Sequence, residues 1–169
     1  MNRTIGGLIN LLNLRLKQEL NSHIAQYHVT PEQWGLINTL YLHEGISQKA
    51  LAQITTKDQA SITRMLELLI DKDLVYKEFS SEDKRSFNLH LTDQGRELRN
   101  IILPITRKLT EEAMDGFSEK EIENFKRTLM KILDNLDKLK RINEEASLTW
   151  PNRTLKEPAN PDFGPKTSF

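Results

Sequence analysis

The stretch SSEDKRSFNLHLTDQG, residues 80–95, sets two patterns side by side. Ser81, Glu82, Asp83, Lys84 and Arg85 are all polar, and Phe87, Leu89 and Leu91 then alternate with polar residues. A period of two marks a strand with one buried face, so the charged run reads as the tip of a β-hairpin. Leu74-Val75-Tyr76 begins the first strand and Phe87–Leu91 returns as its partner. An exposed tip with Asp83 and Arg85 two apart needs a purpose, and the flanking sequence supplies one.

Upstream of the hairpin lie three helical patterns. Thr30-Pro31-Glu32-Gln33 combines an N-cap, a proline at the first helical position and a glutamine that completes a capping box. Trp34, Ile37, Leu40 and Tyr41 form the apolar face that follows, and Gly45 ends it. Ser47 opens a short helix over SQKALAQI, with Ala50, Leu51 and Ile54 inward. Thr56 with Gln59 spells another capping box, opening TKDQASITRMLELLIDKD, where Ile62, Met65, Leu66, Leu69 and Ile70 recur at helical spacing. Two short helices across a tight turn, followed by a hairpin, describe a winged helix-turn-helix. Its second helix lies in the DNA major groove.

The side chains suit that role. Gln59, Ala60, Ser61, Thr63 and Arg64 keep one face small or polar, so the backbone can approach base edges. Glutamine pairs with adenine, arginine with guanine, and an alanine methyl touches thymine. Ser47, Gln48, Lys49 and Lys57 flank this face, and Lys84 and Arg85 reach from the hairpin, with Arg85 aimed at the adjacent minor groove. Asp83 is repelled by phosphate and is assigned to orienting the wing.

Outside this core, Ile5, Leu8, Ile9, Leu12, Leu16 and Leu20 form a stripe along an N-terminal helix. Thr92 caps a helix through Leu98, Ile102, Ile105 and Leu109, with a bend expected at Pro104. Ser118 and Glu121 form a third capping box. Ile122, Phe125, Leu129, Ile132, Leu136 and Leu139 then step by three and four, which is an a/d seam. From Ser118 to Glu145 that helix spans roughly 40 Å. Such a rod is hard for a single chain to cover, so Leu8, Leu12 and the seam are read as dimerisation residues. The Pro-rich tail from Ser147 is read as irregular or strapped across a partner.

The 169 residues hold 24 basic and 24 acidic side chains, so nucleic-acid binding must come from local placement rather than a global field. Between Ser47 and His90, seven basic residues face seven acidic ones, which predicts modest, salt-dependent affinity. The absence of cysteine excludes disulfides, thiolate nucleophiles and Cys-based zinc sites. With no phosphate loop and no carboxylate–histidine motif, an enzyme is not expected. No apolar run approaches the roughly 20 residues of a membrane span, and the N-terminus lacks signal-peptide character, so a cytoplasmic protein is expected.

The run LAQITTKDQASITRMLELLIDKDLVYKEFSSEDKRSFNLHLTDQGREL resembles the core of the MarR (multiple antibiotic resistance regulator) family of bacterial transcription factors. Asp83-Lys84-Arg85 matches that family's D-x-R wing motif, and LTDQG opens the next helix as it does there. The resemblance runs from about Leu8 to about Leu139. It implies a mainly α fold: a dimerisation helix over 1–30, a winged DNA-binding lobe over 31–95, dimerisation helices over 96–146 and a tail over 147–169. It further implies an obligate homodimer on pseudo-palindromic duplex DNA, with half-sites near 10 bp apart. It also implies a repressor relieved by a small-molecule effector bound between lobe and dimer region, with no resident cofactor. Two departures stand out: Asp73 where glycine is usual, and Phe79 where the family often has arginine.

Three other readings compete. Tyr27, Trp34 and Tyr41 are candidates for the effector pocket, or are core. His43-Glu44 with His23 or His28 would suit a metal-responsive regulator, but no metal-ligand spacing is present. A winged-helix module that binds a protein instead of DNA would need exposed aromatic or aliphatic anchors on its recognition helix.

Overall fold

The computed structural model describes residues 4–79 and 87–149, with the side chains of 145–149 left aside. The expectations for Asp83, Lys84 and Arg85, and for the tail from residue 150 onward, lie outside the described residues. Two compact units are present, Met1–Asp115 and Gly116–Phe169. The first joins the N-terminal helix, the winged core and the helix after it into one body.

In that unit, α1 (Ile5–Ile24) leads through a 3-10 turn, Ala25–Tyr27, to α2 (Pro31–Leu42). Thr30 caps α2 through the expected box: its hydroxyl accepts from Gln33 N, and Gln33 Oε1 accepts from Thr30 N. Strand β1 (Ile46–Ser47) precedes α3 (Gln48–Thr55) and α4 (Gln59–Asp71), and β2 (Val75–Phe79) and β3 (Phe87–Leu91) follow. The sheet order is β1-β3-β2, all antiparallel, with Val75 opposite Leu91 and Phe79 opposite Phe87. The fold is therefore mainly α with a small antiparallel wing. β1 was not legible in the sequence, because two residues carry no period.

The core gathers Leu36, Ile37, Leu40, Leu51, Ile62, Leu66, Leu69, Leu89, Leu91 and Ile102, all fully buried. Each comes from the apolar face of its element, so burial follows the sequence period. Ile54 does not: it is exposed, and Ala52 packs inward beside Leu51. Ser47 is held in β1 opposite Asn88, which sets where α3 starts and hence its rotational phase.

The turn between α3 and α4 also departs from expectation. Thr56 does not cap α4. It ends α3 in the left-handed region at φ 52°, and Lys57 N donates back to Ala52 O at 3.1 Å. The cap of α4 is Asp58, whose carboxylate accepts from Ser61 N at 2.8 Å. Asp73 repeats the left-handed ending after α4 at φ 55°, where the sequence lacks the usual glycine. A threonine is strained at positive φ and an exposed one has little packing to lose. Thr56→Gly is therefore expected to raise stability by about 1 kcal/mol. Urea unfolding checks this, and an unchanged midpoint would mean that the turn is unstrained.

Helix α5 (Asp93–Ala113) starts at Thr92, whose hydroxyl accepts from Gly95 N at 3.0 Å, and runs on through Pro104. In the second unit, α6 (Glu119–Thr149) opens at the Ser118–Glu121 box. It extends to Thr149, three residues into the segment expected to be irregular. Ala146, Ser147 and Leu148 carry no helix breaker, and the first proline is Pro151.

Candidate nucleic-acid interface

Helix α4 presents two faces of opposite character. Ile62, Leu66 and Leu69 are buried, while Gln59, Ala60 and Arg64 are exposed on the other side. The sequence grouped eleven residues as DNA-facing, and the structure sorts the nine it describes by what each side chain is already bonded to. Ser47 Oγ accepts from Ala50 N at 3.2 Å and caps α3. Gln48 Nε2 donates to Thr63 Oγ1 at 2.7 Å, bridging α3 to α4, and Thr63 Oγ1 donates on to Gln59 O at 2.8 Å. Ser61 Oγ donates to Asp58 Oδ2 at 2.6 Å. These groups fix the helix pair. Lys49, Gln59 and Arg64 are exposed, and no hydrogen bond or ion pair engages their side chains among the described residues. Ala60 leaves space between them.

Asp58, missed in the sequence, anchors this face. The Ser61 hydroxyl and then the Ser61 backbone N–H bond its charged form, and together they hold its carboxyl below the ordinary range. The sequence did carry a signal, D-x-x-S, but the Thr56–Gln59 box two residues earlier competed with it. Lys57 is half-buried and contributes to the field on Glu32. Glu32 is itself held below the usual carboxylate range, chiefly by its contact with Lys17 at 2.9 Å.

The wing is braced at its root. Glu44, in the turn between α2 and β1, pairs with Arg96 of α5, and this bond favours the charged guanidinium. His90 on β3 lies between Glu44 and Glu78 and stacks on Tyr76 at 5.2 Å between centroids.

The three pocket candidates separate. Tyr27 lines a cavity of about 370 Å³ together with His28, Lys72, Leu74, Gln94, Glu97, Leu98 and Ile101. Trp34 is buried in the core. Tyr41 is partly exposed and lies under the Arg99 guanidinium, 3.9 Å from its ring centroid. Lys72 Nζ crosses one side of the cavity to His28 O. As for metal, no group of three or more His, Asp or Glu among the described residues is placed to hold an ion.

The dimerisation candidates remain uncovered in one chain. Leu8 is 49% exposed and Leu12 42%, and Ile5 and Leu14 beside them are exposed as well. On α6, Phe125, Leu136 and Leu139 are exposed, and Ile122, Leu129 and Ile132 are half-buried. No helix among the described residues is long and apolar enough to cross a membrane.

Comparison with known proteins adds four findings. The MarR family pattern matches residues 28–86. The transcriptional regulator HosA of Escherichia coli is 26% identical over 125 residues, covering 71% of this chain and 93% of HosA. MhqR of Bacillus subtilis, an HTH-type transcriptional regulator, is 29% identical over 111 residues, covering 64% of this chain and 74% of MhqR. Among solved structures, Staphylococcus aureus MepR in complex with DNA superposes with a TM-score of 0.73 at 26% identity. That match covers 79% of this chain and 96% of MepR.

Proposed function

We propose that the chain is a MarR-family transcriptional regulator that acts as a homodimeric repressor on duplex DNA, a reading supported by the family pattern over residues 28–86 and the similarity to HosA. One observation carries the reading: α4 exposes Gln59, Ala60 and Arg64 on a face whose remaining polar groups are locked into the helix pair. A free glutamine and a free arginine across a small residue can read base edges. The similarity to MepR, solved in complex with DNA, supports DNA binding by this fold. Lys49 and Lys57 take phosphate, and Lys84 and Arg85 extend from the wing toward the neighbouring minor groove, oriented by Asp83.

Residues 31–95 form the DNA-binding lobe, with 1–30 and 96–146 as dimerisation regions. The apolar stripes on α1 and α6 engage a second copy, which places two α4 helices about one helical turn apart on a pseudo-palindrome. A small-molecule effector relieves repression from the joint between lobe and dimerisation helices, where the Tyr27 cavity borders the turn between α4 and β2 and the start of α5. The protein works in the bacterial cytoplasm on nucleoid DNA.

Selection of duplexes from a random pool by the full chain tests this directly. Arg64→Ala is expected to weaken the selected duplex by about 1–3 kcal/mol and to relax preference at one base pair per half-site. Fluorescence anisotropy against the selected and single-substituted duplexes checks both. Unchanged affinity and unchanged preference would remove α4 from the groove.

A further inference from the structure

Thr63 stands half-buried on α4, and its hydroxyl is engaged both as donor and as acceptor. Gln48 Nε2, at the start of α3, donates to Thr63 Oγ1 at 2.7 Å, and Oγ1 donates to Gln59 O at 2.8 Å. A hydroxyl has one proton to give. Here that proton goes to the backbone of the preceding turn, so none is left for an acceptor on a base. The usual way for a threonine to read a base edge, through its hydroxyl, is therefore closed.

The two bonds also fix how the side chain is turned. Threonine in a helix divides between two rotamers, and the bond from Gln48 selects one. With Oγ1 held between α3 and the preceding turn of α4, the Cγ2 methyl is the part of Thr63 without a polar partner. Ala60 lies three residues earlier and is exposed, and residues at that spacing share a helix face. Gln59 and Arg64, both exposed, flank the pair along the chain. Two methyls thus form a small apolar step between two polar side chains.

In the major groove the apolar group on a base edge is the C5 methyl of thymine. We propose that Thr63 is a specificity-determining residue that meets this methyl through Cγ2, and that Gln48 is the positioning residue that turns it there. Gln59 and Arg64 take hydrogen bonds on either side, while Ala60 and Thr63 select thymine between them. Cytosine carries hydrogen at the same carbon and loses the contact.

The inference rests on the DNA-binding reading, and its test separates the two. Each thymine of the selected duplex is replaced in turn by deoxyuridine, which deletes the methyl and keeps the base pair. Anisotropy with the full-length protein is expected to find a position where replacement weakens binding about fourfold, the worth of one buried methyl. Thr63→Ser keeps the hydroxyl and lacks the methyl, and Gln48→Ala frees the side chain to turn. In each, the penalty at that position is expected to fall below about twofold. A merely structural role would weaken both duplexes alike and leave their ratio unchanged. An unchanged penalty in either variant would overturn the proposal, so one decides if the other fails to fold. Tight binding that ignores every methyl would overturn this inference alone. Failure of the unsubstituted protein to retain any duplex would retire the DNA-binding reading and the inference together.

Discussion

Gly95→Ala will destabilise the first unit by about 3 kcal/mol, although alanine is the better helix former. At an exposed helical site the same change stabilises by roughly 0.5–1 kcal/mol, so the sign alone is diagnostic. Gly95 is in the first turn of α5, and its N–H donates to the Thr92 cap. A Cβ at this position would lie 2.1 Å from Leu74 O and 3.1 Å from Leu74 C. Both are backbone atoms, so no rotamer change relieves the clash. Leu74 O also accepts from Thr92 N at 3.2 Å, which leaves the carbonyl little room to swing away. The start of α5 must therefore lift off the root of β2. For a chain of this length the loss corresponds to roughly 10 °C in the unfolding midpoint. Thermal unfolding followed by circular dichroism measures it, and a midpoint within about 2 °C of the parent would show that the close approach is not maintained in solution.

Charging the α6 seam will have the largest effect on DNA retention. Leu129→Asp with Leu136→Asp places two carboxylates on the stripe assigned to the second copy. In the proposed dimer, the second reading helix would be delivered at high effective concentration once the first is bound, which would raise affinity. A chain that cannot pair forfeits that gain, so affinity for the selected duplex is expected to fall on the order of 10³-fold. Sedimentation should show single chains at micromolar strength. A doubly charged variant that still sediments as a dimer would show that the seam is not the interface.

Long-period features were legible in the sequence and short or tertiary ones were not. The alternation at Phe87, Leu89 and Leu91 predicted one buried face, and the two leucines are buried, but Phe87 at the outer end of β3 is exposed. The Thr30–Gln33 and Ser118–Glu121 boxes were readable because both partners lie within one helical turn. Thr56 and Asp58 were misassigned for the opposite reason: two overlapping cap signals compete, and the left-handed backbone that decides between them has no marker without glycine. The candidate site divides in the same way. Residue types that suit base edges were visible, but the bond from Gln48 to Thr63 joins positions 15 apart and depends on how α3 meets α4. The wing-root group of Glu44, His90 and Arg96 gathers three distant segments, so only the fold brings it together.

The ammonium of Lys72 ties the foot of the reading helix to the carbonyl at which the N-terminal arm ends. That contact lies at the end of α4 farthest from its Asp58 cap. In the proposed dimer, a shift of the arm would therefore tilt the reader rather than slide it, and small adjustments between two copies would change how steeply each helix enters its groove.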